Sequence, residues 1–467
     1  MFGRRQLQPR SAGVPKASDP GAARTPAAVG VPAESRATIS SRNTDRRLEQ
    51  AHETIQNALY ERIDAAAAAR MPREELTSQL LELIAEIAAE HRLSLSSKEQ
   101  QELGARLVDD MVGLGPLEPL LRDETVTDIM VNGPTSVFVE RRGKVEATDI
   151  RFRDHQQLLN IAQRIVTRVG RRIDETCPIC DARLEDGSRV NVIIPPLAID
   201  GCAISIRKFA KHKITLDRMM RQGNVSEPLG RVLKIAAACR LNIVISGGTG
   251  SGKTTLLNAL SQLIDPGERI VTIEDAAELQ LLQPHVVRLE TRPPNLEGQG
   301  EVTMRDLVRN ALRMRPDRII CGEVRGPEAM DMLQAMNTGH DGSMCTLHAN
   351  SPREAITRLE NMVTMASANL PTKAIRTQIV GAVNLVIQTA RMRDGVRRIT
   401  HVTEIVGMEG DVVTLQDLFT FEYHGEASDG TLIGEFKSSN VRPHFIRRAA
   451  YYGLDRALMA AMNGATR

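Results

Sequence analysis

The run Gly247-Gly-Thr-Gly-Ser-Gly-Lys-Thr254 constrains this chain more than any other stretch, because its spacing suits one local structure. It has the G-x-x-x-x-G-K-T pattern of a phosphate-binding loop, follows the apolar run LNIVIS and precedes the helix-forming run TLLNALSQL. A strand that ends in a glycine-rich turn and enters a helix gathers backbone N–H groups and a helix N-terminus around one point, where anionic oxygens are stabilised. The loop and the residue after it, Gly247, Gly248, Thr249, Gly250, Ser251, Gly252, Lys253, Thr254 and Thr255, are therefore the candidate phosphate contacts. Lys253 would neutralise phosphate charge and Thr254 would offer a hydroxyl oxygen to Mg2+, so ATP with Mg2+ is the expected ligand.

The surroundings suit such a loop. From Val225 onwards strand-like runs alternate with helical ones, the pattern of a mainly parallel sheet covered on both faces. LNIVIS, RIVTIE, RIICGE and MCTLHA are the strands, each with a polar motif at its C-terminal end, where open α/β sheets bind ligands. RIVTIED ends in Glu274 and Asp275, with Glu278 a turn later; RIICGE ends in Glu323, preceded by Asp317 and followed by Arg325. Hydrolysis needs acids to hold a metal's water shell and to orient an attacking water. Thr254, Glu274, Asp275 and Glu323 are thus the candidate metal ligands, and Glu274 and Glu323 the candidate catalytic acids. His348, in the run TGHDGSMCTLHAN, is placed to donate to a terminal phosphate, although taken alone it reads as an ordinary surface histidine. The segment 397–425 reads as antiparallel strands, and a helix near Arg447 to Met462 follows.

A chain of 467 residues exceeds one hydrophobic core, and at about 150 residues per domain roughly three are expected. Residues 1–46 have no hydrophobic period and read as a disordered tail. Residues 47–111 read as a helical module, with Leu76, Leu80, Leu83, Ile84 and Ile87 on one face and a capping box at Ser96 and Glu99. Residues 112–212 read as a small α+β domain, with strands TDIMVN, SVFVE, VEATDIRF, SRVNVII and CAISIRKF around a helix from His155 to Val169. A polar link, 213–224, would lead to the domain 225–467. No apolar run approaches the ~18 residues that span a bilayer, and MFGRRQLQPR lacks the apolar core of a secretory signal. The expectation is a cytoplasmic protein that reaches membranes only through partners. A net charge of +2 and 3% aromatic residues argue against direct nucleic-acid binding. Cys177 and Cys180 form a Cys-x-x-Cys without a second pair at zinc spacing, and read as a loop around Pro178 without metal or redox chemistry.

The motifs GGTGSGKTT, VTIEDAAEL, RPDRIICGEVRGPEA and TGHDGSMCTLHANSP resemble, in order and spacing, the Walker A, Asp, Walker B and His boxes of the type II/type IV secretion ATPase superfamily. GLGPLEPLL, VTDIMVNGP and DARLEDGSRVNVIIPPLAIDG resemble its Tad/Flp pilus-assembly branch, and the resemblance covers about residues 50 to 460. It implies an α/β protein with a RecA-like P-loop motor domain, a preceding small α+β (PAS-like) domain and an N-terminal helical module. It also implies a homohexamer that holds ATP between the small and motor domains and moves pilin subunits through inner-membrane platform proteins. The alternative within the superfamily is a type IV secretion motor for protein or DNA. By the same resemblance the small domain supplies phosphate-facing arginines: Arg183 in Asp-Ala-Arg, Arg207 at the end of Gly201–Arg207, where Cys202 replaces the family's glutamate, and Arg189 as a third candidate.

Overall fold

The computed structural model describes residues 50–464 apart from 53, 60, 64–67, 69–70, 142, 210–213, 295–297 and 368, so the tail expected to be disordered lies outside the described residues. The chain divides into two units between Gly113 and Leu114. In the first, helices Arg73–Glu90 and Ser97–Val112 pack through Leu76, Leu80, Ile84 and Ile87 against Leu103, Leu107 and Met111. Ser96 and Glu99 make the reciprocal capping box, with Ser96 N donating to Glu99 Oε2 at 2.6 Å.

The second unit holds two sheets. The smaller is antiparallel, with β1 (Val126–Asn132), β2 (Val137–Arg141), β3 (Lys144–Ala147), β4 (Ile179–Arg183), β5 (Arg189–Ile193) and β6 (Ala203–Arg207) in the order β3-β2-β1-β6-β5-β4. Ile129, Val131, Val190, Val192, Ile204 and Ile206 are buried together with Leu158, Ile161 and Ile165 of helix His155–Arg168. Side chains alternate along a strand, so the intervening residues point to the opposite face. There Glu140, Asp128, Arg207, Arg189 and Arg183 are successive cross-strand partners, forming one charged row across β2, β1, β6, β5 and β4.

Two expectations for this domain need correction. The run VEATDIRF is a strand only as far as Ala147, after which Phe152 turns into the core. The Cys-x-x-Cys is not a loop: Cys180 lies within β4 and is buried in the sheet's core, while Cys177 precedes that strand and bridges to Asp174.

The larger sheet contains β7 (Ile243–Gly247), β8 (Ile270–Glu274), β9 (Val286–Glu290), β10 (Arg318–Cys321), β11 (Met344–Leu347), β12 (Leu385–Arg391), β13 (Arg397–Glu409), β14 (Val412–Glu426) and β15 (Leu432–Ser438). Their order is β15-β14-β13-β12-β7-β11-β10-β8-β9, parallel from β12 to β9 and antiparallel from β12 to β15. Every residue of β7, β8, β10 and β11 is buried, as befits strands covered on both faces. Helices Glu227–Ala238 and Lys253–Ser261 share one core with Phe445, Leu458 and Met462; Met304–Ala311, Glu328–Asn337, Pro352–Ala366 and Thr372–Ala382 form the other. This is the RecA-like α/β arrangement. The segment 213–224, expected to be a polar link, carries helix Leu216–Arg221, whose Leu216 and Met219 are buried in the first of these cores. The last helix is two, Ile446–Tyr451 and Asp455–Met462, broken near Gly453 at φ 71°.

Candidate nucleotide-binding site

β7 delivers the glycine-rich loop to the C-terminal edge of the large sheet. A Cβ on Gly247 would lie 2.5 Å from Ser251 Oγ and from both the carbonyl and hydroxyl oxygens of Thr389 on β12, so only glycine fits. Gly250 and Gly252 have φ of 70° and 95°, which glycine adopts without strain. Lys253 opens the following helix and is buried; its Nζ donates to the carbonyls of Gly247 and Gly248, each at 2.9 Å. Burial lowers its pKa from the ordinary lysine value, and the nearby carboxylate of Glu323 acts in the opposite direction.

Glu323, just beyond β10, stands at the centre of a chain of charges. His348 Nε2 lies 2.7 Å from Glu323 Oε1 and 3.3 Å from Lys253 Nζ. That carboxylate oxygen is buried without a hydrogen-bond partner, so the ring approaches it closely without a hydrogen bond, while Lys253 Nζ, which can only donate, is the hydrogen-bonding partner of the ring nitrogen. Burial also lowers the pKa of His348, against the pull of Glu323. Arg325 donates to Glu323 Oε2 at 2.6 Å and reaches within 3.7 Å of Asp275.

Glu274 has a different setting. It ends β8, is 3% exposed, and through Oε2 accepts from the N–H groups of Glu278 and Leu279 at 2.7 and 2.8 Å. Its other oxygen, Oε1, is buried without a hydrogen-bond partner. Burial pushes this carboxyl up to about 7, with the two N–H groups opposing the rise. Gly322 makes room for it, since a Cβ there would lie 2.9 Å from Glu274 Cγ. The unpartnered oxygen and the hard oxygen donors of Thr254, Asp275 and Glu323 fit Mg2+. Among the described residues no three His, Cys, Asp or Glu side chains group around one point, so Glu274, Asp275 and Glu323 do not form a cage together and would supply one or two ligands, with phosphate oxygens as the others.

The small sheet supplies the facing wall. Arg189 and Arg207 line a cavity of about 180 Å³ together with Thr254, Thr255, Asn258 and Glu278. Arg189 donates to Glu278 Oε1 at 3.1 Å, and Arg207 lies 4.0 Å from the same oxygen. Arg183, expected among the phosphate-facing arginines, has another place. It donates to Glu290 Oε2 at 3.0 Å and to the Ala277 carbonyl at 2.6 Å, and is absent from the lining of that cavity, although it shares with Arg189, Arg207, Asp275 and Glu290 a larger groove on the same face.

Three contacts were not visible in the motifs. Thr389 Oγ1 lies 3.0 Å from Ser251 Oγ, Arg397 Nε donates to the Gly250 carbonyl at 2.9 Å, and Asn258 Oδ1 accepts from Gln280 N at 2.9 Å. The first two come from β12 and β13, far along the chain, and no local pattern ties them to the loop.

A glycine-rich loop, carboxylate-ended neighbouring strands and a histidine at one sheet edge define a P-loop nucleotide-binding protein. Residues 110–404, well over half of the chain, match the family of type II/IV secretion system proteins, and the chain belongs to that family. A protein of Mycobacterium tuberculosis named for conjugal transfer is 40% identical over 312 residues, covering 66% of this chain and 88% of the relative. The type IV secretion system protein VirB11 of Brucella suis is 32% identical over 320 residues, covering 62% of this chain and 88% of the relative. Among solved structures, the Brucella suis VirB11 ATPase in complex with sulphate is similar at 30% identity over 62% of this chain and 94% of that one, with a TM-score of 0.34. No helix among the described residues is long and apolar enough to cross a membrane.

Proposed function

We propose that this chain is a cytoplasmic ATPase that works as a ring of six and couples ATP hydrolysis to Tad/Flp pilus assembly, moving pilin subunits through inner-membrane platform proteins. The observation that carries the ATPase reading is that Lys253, beside His348 and Glu323 at the loop, is followed by Thr254, which shares a cavity with Arg189 and Arg207 of a different sheet, and that the charges of both Glu323 and Arg207 act on Lys253. Lys253 binds phosphate. Glu323, held through Oε2 by Arg325 and with Oε1 buried and unpartnered, positions the attacking water, while Arg189 and Arg207 stabilise charge that develops on the transferred group. Thr254 with one or two of the carboxylates Glu274, Asp275 and Glu323 would hold Mg2+, which supplies charge neutralisation on the phosphate oxygens. Because the two walls of the site belong to separate sheets, a change of charge between them alters how one sheet sits on the other.

The pilus assignment is supported by GLGPLEPLL, VTDIMVNGP and DARLEDGSRVNVIIPPLAIDG, and by the helical unit before Gly113. The relatives named for conjugal transfer and for VirB11 favour the second reading, a type IV secretion motor that exports protein or DNA. In either case the membrane is reached through partner proteins and nucleic acid is not bound directly. A deletion strain separates the readings when surface pili and the transfer of protein and DNA are scored side by side. Pili lost with transfer intact supports the first, and the reverse outcome supports the second. ATPase activity stimulated by polynucleotide would contradict both.

A further inference from the structure

The turn between β12 and β13 touches both the glycine-rich loop and the small sheet. At one end Arg397 donates to the Gly250 carbonyl, and its Cδ would lie 3.2 Å from a Cβ placed on Gly252. At the other end Arg391 donates through Nη2 to the carbonyl of Gly143, in the turn between β2 and β3, and lies 3.9 Å from Glu140. The approach is close: a Cβ on Gly143, where φ is 80°, would lie 3.2 Å from that Arg391 nitrogen. Glu140 is the first member of the charged row that continues through Asp128 to Arg207, Arg189 and Arg183. The row is thus fastened at both ends, by Arg391 beside Glu140 and by Arg183 on Glu290 and Ala277. The two arginines that face the cavity lie between these fastenings.

We propose that Arg391 is a positioning residue: it seats the small sheet against the outer side of the phosphate-binding loop and so determines where Arg207 and Arg189 stand over the nucleotide. This rests on the reading of those two arginines as parts of an ATPase site. Hydrogen-bonded strands move together, so releasing the Glu140 end lets the row pivot about Arg183 and carries Arg207 and Arg189 off their positions. A displacement on the order of 1 Å at a reacting group is worth up to about 10²-fold in rate. Arg391 acts on a backbone carbonyl, which side-chain substitution cannot remove, so the arginine is the member to vary.

The test uses the full chain with Arg391→Ala, Arg391→Lys, Arg207→Ala and the Arg207→Ala/Arg391→Ala double variant. A fluorescent ATP analogue reports affinity, and turnover is measured at saturating ATP and Mg2+. Arg391→Ala should bind within about threefold of wild type yet turn over at least about tenfold more slowly, and the lysine variant should recover part of the rate through its single remaining donor. Arg391→Ala should slow the Arg207→Ala variant by a smaller factor than it slows wild type, because only the displacement of Arg189 is left for it to cause. If Arg207→Ala is slow while Arg391→Ala turns over at nearly the wild-type rate, the positioning role is overturned and the ATPase reading survives. An Arg207→Ala variant with wild-type turnover overturns both. Joint loss of affinity, turnover and thermal stability in Arg391→Ala, unrelieved by lysine, overturns the proposal in favour of general support of the fold.

Discussion

Arg207 and Arg189 are direct cross-strand partners on β6 and β5, and both guanidinium groups turn towards one oxygen, Oε1 of Glu278. Like charges directly opposite one another destabilise a strand pair, so this placement costs folding free energy that Glu278 only partly offsets. A cleft meant for a polyanion accounts for it. Arg207→Ala and Arg189→Ala should retain nucleotide binding and lose most turnover, since an arginine that meets the transferred phosphoryl group is worth about 10³ to 10⁵ in rate. Steady-state ATPase assays beside equilibrium titration decide the point. Rates within about threefold of wild type in both variants would reject the role. Arg183→Ala, which removes contacts to Glu290 on the edge strand β9 and to the carbonyls of Ala277 and Gly187 but takes no arginine out of the cavity lining, should slow turnover less than either.

Lys253→Ala should leave the fold intact and remove most nucleotide affinity. The ammonium is already held at the loop by two carbonyls, so binding phosphate requires little further ordering of that side chain. Equilibrium titration with ATP and Mg2+ measures the loss, and unchanged affinity would place the working site elsewhere.

The two strand-end acids should separate. Glu323→Gln keeps the shape of the side chain but removes the charge that faces His348 and weakens the bond from Arg325, so binding should persist while turnover stops. Glu274→Gln should disturb the loop 276–279, whose N–H groups its Oε2 receives, and through Glu278 the two arginines. Its turnover should fall, with a smaller loss than that of Glu323→Gln. A silent Glu323→Gln together with an inactive Glu274→Gln would reverse the assignment.

Glu404 offers a pH test of stability away from the nucleotide. It is 2% exposed and accepts from the N–H groups of His444 and Phe445, tying β13 to the segment before the last helices. Burial raises its pKa above the ordinary carboxylate value, with the two N–H groups opposing. The folded chain therefore holds a proton that the unfolded chain has already released. Stability falls as pH rises from the ordinary carboxylate value through the raised one, and is level above it. Each unit of difference corresponds to about 1.4 kcal/mol. Glu404→Gln removes this titration, so thermal melting of wild type should decline more steeply than that of the variant across this window. Parallel melting curves against pH would contradict the assignment.

Four parallel strands of the large sheet, β7, β8, β10 and β11, were legible because they are short apolar runs, buried on both faces and each ending in a polar motif, whereas β12, also parallel, was not among the strands read. β9 escaped notice because VVRLE lies at the sheet's edge and mixes charge with apolar residues. β4 was hidden by its cysteine and by the bland reading of Cys-Pro-Ile-Cys, although Cys180 behaves there as a small buried apolar group. The motifs placed Glu274, Glu323, His348 and Lys253 at one sheet edge, but no spacing rule tells which of three arginines faces a cavity. That depends on how two sheets pack, and Arg183 is drawn aside by Glu290, 107 residues along the chain. Arg391 and Arg397 were silent for the same reason.

β7 lies between β11 and β12, so the glycine-rich loop has its floor built from residues made long after it. Ser251 and Thr389, which meet beneath the loop, are 138 residues apart. At synthesis rates of about 5 to 20 residues per second, roughly 7 to 30 s separate the emergence of the loop from that of its wall. During that interval the nascent chain carries the binding signature without the binding surface. A nucleotide that requires the finished loop stabilises only chains that have passed this point, so the protection it confers against unfolding and proteolysis begins once Thr389 has emerged.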